Sequence, residues 1–147
     1  DTVLSRGLGD VYKRQLVGFP GGVNLAFDGL KGRPAMVWRG RFFDAYDTWF
    51  VRKIEFQHPA SDDVFPFEET ESEIRFRGYH IDESGNPVFM LEHEGRTYQE
   101  AYSVTDGVLY RKVTWEEGEE PSITHPGNVE VDRVVADNMV KFVYSWR

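Results

Sequence analysis

The sequence predicts an all-β protein, a mainly antiparallel β-sandwich of about nine strands. Short segments in which apolar and polar residues alternate recur along the chain, and this pattern is typical of half-buried strands. Turn-forming residues separate the segments at intervals of roughly 8–12 residues, and no stretch of about ten residues has the helical period. Hairpin turns favour antiparallel pairing, and two long loops favour a sandwich over a barrel.

The alternation places the elements in order along the chain. The first half contains predicted strands at residues 16–20, 23–28, 35–44 and 51–57, with a bulge expected at Gly40. Residues 57–73 are rich in proline and acidic residues and are predicted to be a surface loop. The second half contains predicted strands at residues 74–82, 88–94, 96–105, 108–116, 129–136 and 139–146.

Hairpin signals join most strands of the second half. The longest of these loops is 82–87, and Asp106-Gly107 fits a two-residue type I′ turn. Gly78 is expected to switch the register, so that Tyr79 and Ile81 turn inward. The apolar positions of the alternating segments define the predicted core: Val23, Leu25, Phe27, Val37, Phe42, Ile54, Phe56, Ile74, Phe76, Phe89, Leu91, Tyr98, Tyr102, Leu109, Val113, Val140, Phe142 and Tyr144.

Composition excludes several classes of protein. The chain has 147 residues, of which 40% are hydrophobic and 15% aromatic, enough for one buried core. Its net charge of −8 argues against a nucleic-acid partner, because phosphate contact needs a cationic surface. We expect no membrane span, since no apolar run approaches the roughly 20 residues of a membrane helix. The absence of cysteine excludes thiolate ligands and covalent haem attachment.

The two ends suggest a fragment of a larger protein. Residues 1–15 lack alternation, and GDVYKRQ at residues 9–15 resembles the translated sequencing-adapter scar of some metagenomic reading frames. We expect residues 1–15 to be a non-native or disordered leader, with a native disordered or helical leader as the alternative. Residues 16–147 are predicted to form a single β-sandwich domain that stops within a strand-like segment.

Two blocks carry a family resemblance. Residues 17–52 contain PGGVN, FD, WRG, a second FD and Trp49, and residues 74–104 contain FRGY followed by Asp82, Gly85, Pro87 and Phe89. They resemble a β-sandwich module of large secreted bacterial proteins, notably of planctomycetes, verrucomicrobia and Bacteroidetes. There the module accompanies c-type cytochrome domains and sugar-dehydrogenase-like β-propellers.

The resemblance implies a non-catalytic accessory module of a multidomain periplasmic or secreted redox protein. Its partners would be neighbouring domains of that parent protein. The resemblance supplies no catalytic residues, and we expect no cofactor in this chain, so haem would belong to a neighbouring domain. Whether the chain is an enzyme is left open, although catalysis by this domain alone is not expected.

A carbohydrate-binding module is the alternative function. Trp rings can stack on sugar faces, and flanking charged groups can bind hydroxyls. The candidate ligand-binding residues are Trp38, Arg39, Asp44, Asp47 and Trp49. The competing interpretation of this cluster is that the tryptophans are core residues and that the charged groups pair at strand ends.

The remaining candidate sites are weaker. Glu92 and Glu94 share one strand face at a spacing compatible with glycoside hydrolysis, but the exposed polar end of a hairpin is the preferred interpretation. The four histidines have no metal-ligand spacing, so we expect no metal. The acidic run at residues 116–120 is interpreted as a solvated loop, or as a surface that attracts a basic partner.

Overall fold

A computed structural model of the chain describes residues 3–6, 14–19, 22–29, 32–39, 64–68, 73–121, 123–127 and 129–145. These residues form strands, turns and loops without a helix, which confirms the predicted all-β class. The strands are β1 (Val3–Arg6), β2 (Arg14–Phe19), β3 (Val23–Asp28), β4 (Arg33–Arg39), β5 (Val64–Pro66), β6 (Arg75–Ile81), β7 (Pro87–His93), β8 (Arg96–Thr105), β9 (Val108–Trp115), β10 (Glu130–Ala136) and β11 (Met139–Ser145).

The strands form two antiparallel sheets. The first sheet has five strands in the order β1-β2-β3-β4-β5, so each strand pairs with its neighbour in sequence. The second sheet has six strands in the order β10-β11-β9-β8-β7-β6. Its strands are joined by hairpins except between β9 and β10, where residues 116–129 carry the chain to the edge of the sheet.

The core lies between the two sheets. Phe27 of the first sheet stacks on Phe89 of the second, with ring centroids 4.1 Å apart. Such pairs combine a large buried area with a favourable ring contact, so they hold the layers together. Most of the predicted core is confirmed as buried: Val23, Leu25, Phe27, Val37, Phe89, Leu91, Tyr98, Tyr102, Leu109, Val113, Val140, Phe142 and Tyr144. The predicted core positions Phe42, Ile54 and Phe56 lie outside the described residues.

The register switch in β6 is confirmed in part. The pairing of β6 with β7 shifts between Phe76 and Gly78, and Gly78 has a φ of 131°. Tyr79 packs against the core as expected, and Phe76 is partly buried there. Ile81 is 46% exposed, so its predicted inward orientation is wrong. Ile81 is the last residue of this edge strand, next to the exposed 82–84 turn, and little protein surrounds it.

Part of the predicted 57–73 loop is a strand. Val64–Pro66 pairs with β4 at the edge of the first sheet, and Phe67 is buried in the core. The segment has only three strand residues and ends at proline, so its alternation is too short to be distinguished from a loop. Within residues 1–15, Val3–Arg6 forms β1 and pairs with β2, which itself begins at Arg14.

The hairpin turns follow their sequence signals. Both residues of Glu94-Gly95 and of Asp106-Gly107 have positive φ, as type I′ turns require. In the longer 82–87 loop, Asp82 Oδ1 accepts hydrogen bonds from the backbone N–H groups of Ser84 and Asn86, each at 2.9 Å. The Asp82 carboxylate therefore forms a local turn, as expected for aspartate at this position.

Candidate functional site

The structure describes two of the five candidate ligand-binding residues. Trp38 is fully buried and Arg39 is exposed at the end of β4. The other three candidates, Asp44, Asp47 and Trp49, lie outside the described residues.

Trp38 lies on the face of the first sheet that points away from the main core. Its neighbour Val37 packs in the core, so strand alternation directs the Trp38 ring to the opposite face. That face is also buried, since every residue of β3 is buried on both sides of the sheet. The side chain of Asn24 on β3 donates a hydrogen bond to the Trp38 carbonyl at 3.3 Å. With no exposed ring surface, Trp38 offers no platform to a sugar in this structure.

The carboxylates near the 93–96 turn have separate partners. Glu92 lies 3.6 Å from Arg77, and Glu94 lies 3.2 Å from His93 Nε2. The other nitrogen of His93 is 2.8 Å from the carbonyl oxygen of Glu73. These contacts lie at the protein surface and fit the hairpin-end interpretation. In the part of the chain that the structure describes, no group of three or more metal-binding side chains comes together.

A densely bonded polar group is buried between the sheets, and it was not predicted from the sequence. Arg111 on β9 and Glu100 on β8 are 1% and 3% exposed at their side chains. Arg111 Nη2 lies 2.8 Å from Glu100 Oε1, and Arg111 Nε donates to the same oxygen at 2.9 Å. Tyr102 donates its hydroxyl proton to that oxygen at 2.5 Å. A buried charge pair with these bonds is costly to disrupt.

Further hydrogen bonds extend this buried group to β11 and to the 116–129 connection. Arg111 Nη1 donates to the Thr124 carbonyl at 2.6 Å and to the Tyr144 hydroxyl at 3.1 Å. The Tyr144 hydroxyl also lies 2.9 Å from His125 Nδ1. The guanidinium lies over the Phe67 ring of the first sheet, 5.6 Å from its centroid. We call Glu100, Tyr102, Arg111, His125 and Tyr144 the buried polar cluster.

Burial and charge shift the pKa values in the cluster. Burial raises the pKa of the Tyr102 hydroxyl well above its ordinary value, and burial also raises the pKa of Tyr144. Burial by itself would lower the pKa of Arg111, but the Glu100 carboxylate and the Tyr102 and Tyr144 hydroxyls together outweigh it, and the pKa is well above its ordinary value. Arg111 therefore carries its positive charge within the cluster.

One signal in the sequence points to this cluster. In β9 the inward positions are Leu109, Arg111 and Val113, and in β8 they include Glu100 between two tyrosines. Charged residues are unusual at strand positions that the alternation assigns to the core. Here such a residue is matched by an opposite charge on the next strand. The alternation assigns both side chains to the interior, although it gives no measure of how deeply they are buried.

A separate open groove lies on the second sheet. Its volume is about 410 Å³. Polar and apolar side chains of four strands line it, including Arg77, Met90, Thr97, Gln99 and Thr114. Met90, Gln99 and Thr114 are directly paired across β7, β8 and β9, so they form one row on the outer face. Such a row offers an amide and hydroxyl groups beside an apolar thioether.

In the residues that the structure describes, there is no helix long and apolar enough to span a membrane. Comparison of the chain with protein-family models, with curated proteins and with solved structures gives no match in any of the three.

Proposed function

We propose that the chain is a non-catalytic β-sandwich accessory module of a multidomain secreted redox protein, and that it packs against a neighbouring domain. The buried polar cluster supports the non-catalytic part of this proposal. Its acid, base and hydroxyl groups bind one another between the sheets, with Arg111 and Glu100 almost inaccessible to solvent. Groups that would be reactive in an open site therefore stabilise the fold in this protein.

The acidic turn after β9 suits a basic neighbour. Arg96 donates hydrogen bonds to the carbonyl oxygens of Glu117 and Glu119, and Trp115 Nε1 donates to the Gly118 carbonyl at 3.1 Å. The backbone of the turn is thus fixed while the Glu116, Glu117 and Glu119 side chains remain exposed. The chain as a whole has a net charge of −8, so this acidic surface would attract a cationic cytochrome domain.

Nuclear magnetic resonance titration with a purified cationic c-type cytochrome tests the proposal. We expect resonance shifts at residues 116–120 in dilute buffer and their loss in about 0.5 M salt, because exposed charges are then screened. Glu117→Gln/Glu119→Gln should weaken the shifts, whereas Asp106→Asn, at an exposed turn of another hairpin, should not. Oxidation of a sugar by the isolated chain would contradict the non-catalytic assignment.

Carbohydrate binding remains a second candidate, and the outer groove is the observation that favours it. The row of Met90, Gln99 and Thr114 combines an apolar surface with groups that can bind sugar hydroxyls. Calorimetric titration with cello- and xylo-oligosaccharides tests it. Binding that Gln99→Ala abolishes and Thr105→Ala preserves would support the groove, and a lack of heat with these sugars would count against it.

A further inference from the structure

Residues 123–127, which we call the strap, connect the two sheets. The strap belongs to the connection between β9 and β10 of the second sheet, yet its backbone bonds to the end of β5 in the first. The Glu68 N–H donates to the His125 carbonyl at 3.0 Å, and the Gly127 N–H donates to the Pro66 carbonyl at 3.3 Å. Phe67 and Pro126 form a β-bridge between these two bonds.

Two side-chain contacts attach the strap to the second sheet. Arg111 Nη1 donates to the Thr124 carbonyl at 2.6 Å, and His125 Nδ1 lies 2.9 Å from the Tyr144 hydroxyl. The half-buried His125 ring also meets Phe142 in an edge-on contact, with centroids 4.6 Å apart. His125 therefore links the strap to β11 through both a polar and an aromatic contact.

The hydrogen bonds fit one arrangement of protons around Tyr144. A guanidinium can only donate, so the Tyr144 oxygen accepts a hydrogen bond from Arg111. The Tyr144 hydroxyl keeps a proton of its own to donate, and His125 Nδ1 lies 2.9 Å away, in position to accept it. This direction corresponds to a neutral His125 with its own proton on Nε2. Protonation of both ring nitrogens turns Nδ1 into a donor, so the Tyr144 hydroxyl proton loses this acceptor.

We propose that protonation of His125 releases the strap from β11 and from the end of β5, while the two packed sheets remain folded. The strap is then an acid-sensitive latch between the sheets, and this role does not depend on the proposed function.

The charges around His125 act in both directions. Arg111 of β9 and Arg133 of β10 disfavour the imidazolium, whereas Glu68 beside β5 and Glu120 of the connection favour it. Burial is the largest effect, and together these groups lower the pKa of His125 below its ordinary value of 6.5. The unfolded or released state therefore binds the proton more readily. The stabilisation by neutral His125 is complete above about pH 6.5 and declines as the pH falls below that value.

Hydrogen exchange of backbone amides, corrected for the intrinsic effect of pH, measures opening of the strap. The reporters are the Glu68 and Gly127 amides, whose bonds the strap makes. We expect their protection to fall by up to about tenfold between pH 7.5 and 5.5, the limit set by a released histidine of ordinary pKa. Amides of β7 and β8 should keep their protection.

Two variants separate the latch from general acid destabilisation. His125→Asn places a non-titrating acceptor near the Nδ1 position, so its strap amides should have equal protection at both pH values. His80→Asn, at an exposed position of β6, should keep the wild-type pH dependence. An acid-induced loss in His125→Asn as large as in wild type would overturn the proposal. Should that variant fail to fold, a wild-type His125 pKa at or above 6.5 by nuclear magnetic resonance would overturn it equally.

Discussion

Removal of the negative charge from the buried polar cluster should strongly destabilise the protein. Glu100→Gln preserves the shape of the side chain but leaves the Arg111 guanidinium, only 1% exposed, without its counter-charge. Two contacts from Arg111 end on the same carboxylate oxygen, at 2.8 and 2.9 Å. Hydrogen bonds to charged groups contribute about 1.5–3 kcal/mol each, and loss of one partner of a buried pair costs about 3–5 kcal/mol. We therefore expect the free energy of unfolding to fall by about 3–5 kcal/mol.

Urea denaturation followed by tryptophan fluorescence, to which the buried Trp38 contributes, measures this loss. For a urea slope of about 2 kcal/mol/M, the midpoint should fall by about 2 M. The surface pair of Arg77 and Glu92 supplies the control, and Glu92→Gln should cost less than about 1 kcal/mol. Glu100→Gln/Arg111→Met should recover much of the loss, because the uncompensated charge is gone. A cost below about 1 kcal/mol for Glu100→Gln would refute the view that the pair is shielded from water.

Three further substitutions test the packing, each by chemical denaturation. Phe89→Ala removes a fully buried ring that stacks on Phe27 and should cost about 3–5 kcal/mol; a cost below about 1 kcal/mol would contradict the intersheet core. Phe76→Ala should cost less than Phe89→Ala, since Phe76 is only partly buried; an equal cost would mean that its ring is fully enclosed. Gly32→Ala would place Cβ 2.6 Å from Ile74 Cγ2 at a φ of 66°, so we expect a loss of at least about 1 kcal/mol. A neutral effect would show that the turn before β4 and the segment before β6 approach each other less closely.

The strands after residue 73 were predictable because their signals are local. Alternation marks each strand, and residue pairs such as Asp106-Gly107 adopt the turn conformation that a hairpin needs. The strand β5 was missed because three residues carry too little pattern. The alternation along β4 correctly placed Val37, but not its neighbour Trp38, in the main core between the sheets. It could not predict that both faces of β3 are buried, because burial of the second face depends on parts of the chain far away in sequence.

The buried polar cluster was missed for a related reason. Parity places Glu100 and Arg111 on the core face, but a charged residue in a strand normally indicates a solvent-exposed position. Their pairing depends on a diagonal contact between β8 and β9, and on the strap that bonds to Arg111 from outside the sheet. Such contacts depend on how the strands and the strap are arranged in three dimensions, so they cannot be predicted from any single segment of the sequence.

The order of the strands has a consequence for how quickly the protein acquires its structure. In the described residues nearly every pair of bonded strands is adjacent in sequence, and the crossing at residues 116–129 is the main exception. Loops that close over short distances lose little chain entropy, and a low contact order accelerates the search for the native state. The hairpins that join β6 to β9 should consequently form early, and the pairing of β9 with β11, which must close residues 116–138, should form later than they do.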